Sequence, residues 1–459
     1  FQLNHHRSAN KNGSVLLVFG GIIFHLWLLR LAGGLISTEE STLSFLLMPL
    51  ALAPMIHSVL LGQRMGVYSA VFTSLFGALM FMPESRLIFF VISLFCGLVA
   101  VFGTRRVRRR GKLLRAGFYV GVAALLLEVL FGQISVNGLS EPGALKEFGQ
   151  ACLMALGVGL ATGLVVGGIL PILESIFGLT TEISWLELSD LNHPLLKRMQ
   201  LEAPGTFHHS LIVAALSESA AEAVGADALQ TRVCAYFHDI GKLRKPEYFI
   251  ENQGDGNPHD ALTPTMSALI IIAHVKDGVD LAIKNKLNPA IIQVIQEHHG
   301  DSLVYYFYRK AQERLQAEQA KGNEESKNSD DLPKVDEKSF RYPGSIPQSR
   351  ECGIISLADA VESASRTLSK PTPKKIRGLV NEIVLKRIRD GQLDACGLTL
   401  SELTEIRDVF SKTLRSILHS RIEYPKEKVE VPASDLNDEM AKVGSVDSIE
   451  RLRRQRQQG

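Results

Sequence analysis

The histidines of this chain are concentrated in one stretch. Seven of the 13 histidines lie between residues 208 and 299. Asp239 directly follows His238, and His298 and His299 form an adjacent pair. Neutral imidazole and carboxylate are the ligands that zinc, iron and manganese accept in hydrolytic sites. A single core histidine is usually structural, but this density and these pairs predict a metal site.

The adjacent His238 and Asp239 are suited to a site with two ions. Each oxygen of a carboxylate can face a different metal, and neighbouring residues on a helix point about 100° apart. Two ions roughly 3.5–4 Å apart suit phosphodiester hydrolysis, because together they hold the phosphate, lower the pKa of a bridging water and stabilise the developing charge. The spacing therefore predicts a phosphoester hydrolase with two metal ions.

The elements that must position these residues are helical. Beyond residue 203, apolar residues recur at intervals of three and four, and no run alternates with period two for long. The predicted helices are 206–225, 227–243, 264–286, 288–311, 351–369, 373–391 and 399–420. The sequence therefore predicts an all-α fold for this half.

The first half of the chain has the composition of a membrane domain. The 459 residues are 46% hydrophobic, and the long apolar runs are confined to residues 14–177. A helix needs about 20 apolar residues to cross the hydrocarbon. Six spans are predicted, at about 14–35, 44–63, 66–83, 86–103, 116–134 and 149–173, the third and fourth being the shortest. This excludes a purely soluble enzyme, a disordered scaffold and a secreted disulfide-rich module.

Basic residues predict the orientation in the membrane. Six arginines and Lys112 crowd residues 105–115, between the fourth and fifth spans. The positive-inside rule places this loop in the cytoplasm, and with it both chain ends and the whole second half. Few ionisable residues fall within the spans, which argues against a transporter.

Charge and cysteines exclude other classes. The net charge is +2, so no global field favours a nucleic acid polymer as partner. No CxxC pair occurs, which argues against a disulfide framework or a cysteine zinc site. The five cysteines are Cys96, Cys152, Cys234, Cys352 and Cys396.

The order of the candidate ligands carries a resemblance. The order His209, then His238-Asp239, then Asp359 resembles the H…HD…D pattern of the HD superfamily of metal-dependent phosphohydrolases. In that superfamily a helical bundle carries the pattern. The similarity extends over about residues 176–425 to the seven-transmembrane HD family of the PgpH type. It is carried by EAPGTFHHS (202–210), YFHDIGK (236–242), YFIENQ (248–253), NPHD (257–260), AHVKDGV (273–279), QEHHG (296–300), RYPG (341–344) and LADAVESASRT (357–367).

This resemblance implies a function. Characterised members of the PgpH type are cyclic di-AMP phosphodiesterases, so the expected reaction is hydrolysis of cyclic di-AMP to linear pApA by water activated at two metal ions. The alternatives are another phosphoester such as cyclic di-GMP, or an HD-type receptor. The related cyclic di-GMP enzymes carry a GYP motif after the histidine pair. Here Gly300-Asp301-Ser302-Leu303 comes after it, which argues against cyclic di-GMP.

The resemblance also implies a ligand set. His209, His238, Asp239 and Asp359 are expected on one ion, and His274, His298 and His299 on the other, with Asp239 bridging. The expected ions are manganese or iron; zinc remains open.

Four further polar residues are candidates for other roles. Lys242, one turn beyond the catalytic Asp239, is expected to neutralise phosphate charge or protonate the leaving oxygen, unless it is a surface lysine. Arg341 and Arg366 are candidates for phosphate contact, or are structural ion-pair partners. Glu297 is a candidate to hold a ligand imidazole through a hydrogen bond.

The chain is predicted to have five parts. They are a cytoplasmic stub (1–13), a membrane domain of about six helices (14–177), a connector (178–203), an HD domain (204–425) with a flexible insertion (312–340), and a disordered tail (426–459). In this family a further span and an extracytoplasmic domain come first, so we expect these to be missing here or divergent.

The predicted surroundings are those of a membrane enzyme. The expected location is the bacterial inner (plasma) membrane, with the bilayer and a cyclic dinucleotide as partners. A homodimer is left open. Regulation is expected through the connector, with Trp185 docking the two halves.

Overall fold

The computed structural model describes residues 11–36, 44–80, 83–134, 142–254, 256–322, 335–368 and 371–419. Within these ranges the chain is helical, and the only β pairing is an isolated antiparallel bridge between Leu303 and Arg341. The all-α prediction is therefore confirmed. Most of the predicted stub, the middle of the predicted insertion (323–334) and the predicted tail lie outside the described residues.

Six helices make up the described part of the first half. They are α1 (Lys11–Ile36), α2 (Leu52–Leu61), α3 (Gln63–Ala78), α4 (Pro83–Gly103), α5 (Gly111–Leu130) and α6 (Pro142–Phe177). Four stretches are long and apolar enough to cross a membrane: Asn12–Gly34, Ser85–Gly103, Gly111–Leu130 and Gly143–Phe177.

The predicted second and third spans are shorter than expected. Helix α2 has 10 residues and α3 has 16, which is below the length that a full crossing requires. Residues Ser44–Leu47 form a 3₁₀ turn instead of the start of a span, and Pro49 lies two residues later. Gly62, with φ +92°, then separates α2 from α3. The fourth span, expected to be among the shortest, is a full-length helix, α4.

Close packing and exposed apolar side chains both fit a membrane environment. A Cβ on Gly121 of α5 would lie 2.5 Å from the Ala155 carbonyl oxygen of α6, so these helices approach backbone to backbone. On the outside, Leu16, Ile23 and Trp27 are more than half exposed. A soluble protein rarely exposes such a surface. The chain is a membrane protein.

Two short helices form the connector after α6. They are α7 (Glu182–Leu188), capped by the Thr181 side chain, and α8 (Pro194–Glu202). Arg110, from the basic loop before α5, pairs with Glu187 at 2.9 Å, and Arg108 pairs with Glu182 at 3.5 Å. The basic loop therefore contacts the connector.

The second half is a bundle of eight α-helices among the described residues. They are α9 (Pro204–Val224), α10 (Ala228–Phe237), α11 (Pro264–Lys284), α12 (Pro289–Glu297), α13 (Tyr305–Gly322), α14 (Arg350–Ser365), α15 (Pro373–Arg389) and α16 (Leu400–His419). The described residues as far as Leu414 form one compact unit. Helix α9 packs against α10 and α14, and α10 packs against α12. The helices that carry the predicted ligands thus share one core.

Candidate metal centre

A tight turn presents His238 and Asp239 at the end of α10. Asp227 caps the start of α10 by accepting from the Gln230 backbone N–H at 3.0 Å, and the helix ends at Phe237. A 3₁₀ turn, Ile240–Arg244, comes next. A Cβ on Gly241 would lie 2.6 Å from the Gly278 nitrogen, so only glycine lets this turn press against α11. That contact brings His274 of α11 next to Asp239.

The histidine pair lies in the turn after α12. The Asn288 side chain caps this helix, and Gly300 with φ +58° ends it in the left-handed conformation that favours glycine. The segment after residue 340 then pairs with this turn, because the Tyr342 N–H donates to the Ser302 carbonyl at 3.0 Å. The Tyr342 ring stacks on His299 with centroids 4.3 Å apart.

The two oxygens of Asp239 face two different sets of imidazoles. Oδ2 lies 3.3 Å from His238 Nε2 and 3.5 Å from His209 Nε2. Oδ1 lies 3.4 Å from His274 Nε2 and 3.7 Å from His298 Nε2. We call His209, His238 and Asp239 the His209 set, and Asp239, His274, His298 and His299 the His274 set. Within each set the candidate ligand atoms lie within 4.8 Å of one another.

Asp359 of α14 completes the centre. Its Oδ1 lies 3.1 Å from His209 Nε2 and its Oδ2 lies 3.7 Å from His299 Nδ1. It therefore contacts both sets. The structure thus brings all seven predicted metal ligands together around one buried point.

Hydrogen bonds orient three of the rings toward that point. His238 Nδ1 lies 2.7 Å from the Ala235 carbonyl, His274 Nδ1 lies 2.5 Å from Ile271 O, and His298 Nδ1 lies 2.9 Å from Ile295 O. Because a carbonyl oxygen only accepts, each Nδ1 carries the proton and donates it. Each Nε2 then keeps a lone pair directed at Asp239.

Orphaned polar atoms test whether the centre fits metal ions. His209 Nε2, His238 Nε2 and Asp239 Oδ1 are buried and have no hydrogen-bond partner within the described part of the chain. Such atoms are costly to bury unless something satisfies them. Imidazole lone pairs and a carboxylate oxygen turned toward one another are the donors of a divalent-ion site, so the residues fit this group.

His209 is held by a residue that sequence reasoning missed. Its Nδ1 lies 2.5 Å from Glu362 Oε2, and Glu362 is buried on α14 one turn after Asp359. Arg366 binds Glu362 in turn, with Nε 2.9 Å from Oε1. Two sequence signals were available for Glu362: it lies in the segment LADAVESASRT (357–367), and its i, i+3 spacing from Asp359 places both carboxylates on one helix face.

Lys242 lies between two carboxylates. Its Nζ is 2.8 Å from Asp239 Oδ2 and 2.8 Å from Glu251 Oε1. Glu251 also accepts from the Thr206 hydroxyl at 3.1 Å. Lys242 is therefore part of the centre's support, and the alternative of a surface lysine is wrong. Thr206 and Glu251 lie in the segments EAPGTFHHS (202–210) and YFIENQ (248–253), but neither residue was assigned a role from the sequence.

Other candidates lie away from the imidazoles. Arg341 is exposed, paired with Glu337, and donates to the Asp301 carbonyl at 3.0 Å. Glu297 accepts from the Gln348 N–H at 2.9 Å and from the Gln293 side chain, so the predicted bond to a ligand imidazole is absent from its described contacts. The reason is that the side chain is turned toward the segment before α14.

Electrostatics differ between the sets. Burial opposes charge on His209, but the nearby carboxylates of Asp359 and Glu362 outweigh it and raise its pKa to about 9. Burial lowers the pKa of His298 to about 3, and it also lowers the pKa values of His274 and His299. Although burial alone would raise the pKa of Asp239, Lys242 and His238 hold it well below 3.8.

Comparisons with known proteins agree on both halves. Residues 1–181 match the family model described as 7TM receptor with intracellular HD hydrolase, and residues 206–364 match the HD domain. The chain is 37% identical over 424 residues to cyclic-di-AMP phosphodiesterase PgpH of Bacillus subtilis (strain 168), covering 91% of this chain and 56% of that relative. It is 36% identical to the PgpH of Listeria monocytogenes serotype 1/2a (strain 10403S), with 91% and 55% covered.

A solved structure is also similar. The HD domain of L. monocytogenes PgpH in complex with cyclic-di-AMP is 42% identical, covering 50% of this chain and all of that one, with a TM-score of 0.45. The chain spans little more than half the length of the curated relatives it matches. With both halves matched and this identity along 91% of its length, the chain belongs to the family described as seven-transmembrane receptors with an intracellular HD hydrolase domain.

Proposed function

We propose that the chain is a metal-dependent phosphodiesterase that hydrolyses cyclic di-AMP to linear pApA. The observation that carries this proposal is the position of Asp239, whose two oxygens face separate imidazole sets. A carboxylate placed in this way suits a pair of ions, and paired ions suit phosphodiester hydrolysis. The substrate is supported by two relatives that are named cyclic-di-AMP phosphodiesterases.

The centre would hold two divalent ions, manganese or iron. His209, His238 and Asp359 would bind one ion, His274, His298 and His299 the other, and Asp239 both. Nitrogen and carboxylate ligands without cysteine suit these metals. When bound, such ions supply Lewis acidity, which orients the phosphate, acidifies water and offsets developing charge.

The chain's own residues prepare the site by fixing ring orientation and charge. Backbone carbonyls hold His238, His274 and His298 in one tautomer, and Glu362 does the same for His209. The pKa of Lys242 is raised above 10.5: burial opposes the charge, but Asp239 and Glu251 outweigh it. Such an ammonium is a poor proton donor at neutral pH. We therefore assign Lys242 to positioning Asp239 rather than to protonating the leaving oxygen.

The test uses the full chain in detergent micelles. Hydrolysis of cyclic di-AMP and cyclic di-GMP is followed by chromatography with manganese, and again after a chelator. Asp239→Ala removes the shared carboxylate. Asp280→Ala, an exposed position on α11, is the matched control.

Metal-dependent release of pApA, absent in Asp239→Ala and normal in Asp280→Ala, is the expected result. Turnover of cyclic di-GMP alone would overturn the assignment of cyclic di-AMP as the substrate. No turnover of either nucleotide by a folded chain loaded with metal would overturn the proposal that the chain is a phosphodiesterase and would favour a receptor.

The proposed location is the bacterial inner (plasma) membrane, with the HD domain in the cytoplasm. Support comes from Arg108 and Arg110, since the basic loop expected on the cytoplasmic side pairs with the connector. A tag on the C-terminus should resist added protease in intact spheroplasts and be cleaved after lysis. Cleavage in intact spheroplasts would contradict this orientation. The homodimer stays a prediction.

We also propose that the membrane half regulates the site through the connector. Trp185 is 4% exposed in α7, and α7 packs on α10, which leads to His238. On the other side, Asn288, the cap of α12, donates to the Thr180 hydroxyl at 2.5 Å. Replacing Trp185 with alanine should change turnover in the full chain. Unchanged activity and unchanged thermal stability would count against this coupling.

A further inference from the structure

The basic side chains expected to bind phosphate already have acidic partners. Lys242 lies between Asp239 and Glu251, Arg366 binds Glu362, and Arg341 binds Glu337. A cation that is already neutralised gains less from an arriving anion, because its present partner must be displaced. A basic side chain without such a partner is therefore the better candidate to bind the substrate phosphate beside the metal ions.

Arg387 lies in the last turn of α15, and hydrogen bonds connect this turn to the segment that follows the histidine pair. Its own carbonyl accepts from the Gln392 N–H at 3.1 Å, and the Gln392 side chain donates to Asp301 Oδ1 at 2.5 Å. Asp301 lies two residues after His299. The last turn of α15 is thereby held against the turn that carries His298 and His299.

The guanidinium of Arg387 is half-buried and lacks an acidic partner. Within the described part of the chain it makes no ion pair and no side-chain hydrogen bond. Its nitrogen atoms are not among the buried atoms that lack a hydrogen-bond partner, so they are accessible to solvent. Burial lowers its pKa, and Asp359, Asp390 and Tyr342 are the groups whose charge acts on it. Two of these, Asp359 and Tyr342, belong to the metal centre.

We infer that Arg387 binds the phosphodiester of the substrate at the edge of the metal centre. A guanidinium presents a planar fork of N–H donors that matches two phosphate oxygens, and its charge-assisted hydrogen bonds are about twice as strong as neutral ones. Tyr342, one of the groups whose charge acts on this cation, stacks on His299. Arg387 takes the role that the sequence suggested for Arg341 and Arg366. This inference rests on the proposed phosphodiesterase function.

The experiment compares three variants of the full chain in detergent micelles with manganese. Arg387→Gln removes the charge, Arg387→Lys keeps the charge without the fork, and Arg389→Gln makes the same change at an exposed position two residues further along α15. The readouts are KM and kcat for cyclic di-AMP, the metal content and the melting temperature.

Arg387→Gln should raise KM by about tenfold or more, since a hydrogen bond to a charged group is worth roughly 1.5–3 kcal/mol. Metal content and melting temperature should stay at the wild-type level, Arg387→Lys should recover part of the loss, and Arg389→Gln should behave as wild type. A KM within twofold of wild type would overturn the inference. Loss of metal or of folding in both Arg387 variants would also overturn the inference, because it would show that Arg387 has a structural role.

A second readout separates this inference from the proposed function. Binding of inorganic phosphate to the manganese-loaded chain is measured by calorimetry, which requires no turnover. Weaker binding by Arg387→Gln than by Arg389→Gln supports the inference even if cyclic di-AMP is not hydrolysed. Normal hydrolysis with equal phosphate affinity in all variants overturns the inference and leaves the proposed function intact.

Discussion

The two ligand sets of the metal centre are held in different ways. In the His274 set, the rings of His274 and His298 donate to carbonyls three residues earlier in the chain. In the His209 set, His238 obeys the same local rule. The ring of His209, however, is held by Glu362, which lies 153 residues away in sequence. One set is built by helix geometry, and the other depends on tertiary packing of α9 against α14.

This difference has an electrostatic consequence. Burial favours the neutral form of His274 and His298 and lowers their pKa values, although the bond to the Ile271 carbonyl opposes this at His274. A ring between Glu362 and Asp359 favours the charged form, and the pKa of His209 is raised to about 9. Metal ligands must be deprotonated. The His274 set is therefore ready for an ion at neutral pH, whereas His209 must first lose a proton.

The largest expected effect comes from the residue that both sets share. Asp239→Ala should lower turnover at least about a thousandfold, because metal assistance contributes several kcal/mol and each 1.4 kcal/mol is tenfold in rate. It should also empty both sets of metal. Elemental analysis and turnover assays check this, with Asp280→Ala as control. Retention of wild-type metal content would contradict the shared role.

A smaller loss, confined to one set, is expected at Glu362. Glu362→Gln keeps the size of the side chain but removes its charge, and supporting groups of this kind typically cost 10–100-fold in metal affinity or activity. Titration of the metal-free chain with manganese should show one weakened site and one unchanged site. Glu382→Gln, exposed on α15, is the control. Equal weakening of both sites would mean that the sets are not independent.

The pH dependence of the metal-free chain should show the same asymmetry. The pKa of His209 is raised from 6.5 to about 9, so its contribution to stability is complete below pH 6.5 and is lost as the pH rises through 9. His298, with its pKa lowered to about 3, contributes above pH 6.5 and loses this contribution as the pH falls toward 3.

Thermal melting of the metal-free chain between pH 6.5 and 9 tests the His209 part. The stability difference between wild type and Glu362→Gln should shrink as the pH rises across this interval. A difference that stays constant would show that Glu362 acts on His209 by packing alone, without favouring its charged form.

The smallest effect is expected at Arg366. Its side chain is 38% exposed, so solvent weakens its pairing with Glu362. Arg366→Gln should lower manganese affinity of the His209 set by less than about threefold. A loss as large as that of Glu362→Gln would show that the pair acts as a unit.

The sequence predicted the parts of the site that depend on local order. His238 and Asp239 are adjacent, as are His298 and His299, so their positions are set by where α10 and α12 end. The charge partners could not be predicted. Glu362 reaches His209 only because α9 and α14 pack together. Arg341 and Arg366 each pair with a glutamate four residues earlier in the chain.

The membrane half shows a similar limit. Hydropathy located six helices, but it cannot show where a helix starts within an apolar run. Ser44–Leu47 is a 3₁₀ turn although its residues are apolar enough for a span, and Gly62 separates the short helices α2 and α3. Local backbone geometry determines where these helices begin and end, and composition alone does not predict it.

The most direct test of the account is to count and locate manganese in the full-length chain by elemental analysis and electron paramagnetic resonance. Two ions bridged by Asp239 would lie about 3.5–4 Å apart, close enough for their spins to couple. We predict two manganese ions per chain with a coupled spectrum, and loss of both the ions and the coupled spectrum in Asp239→Ala. One ion per chain, or two ions with uncoupled spectra, would contradict the account.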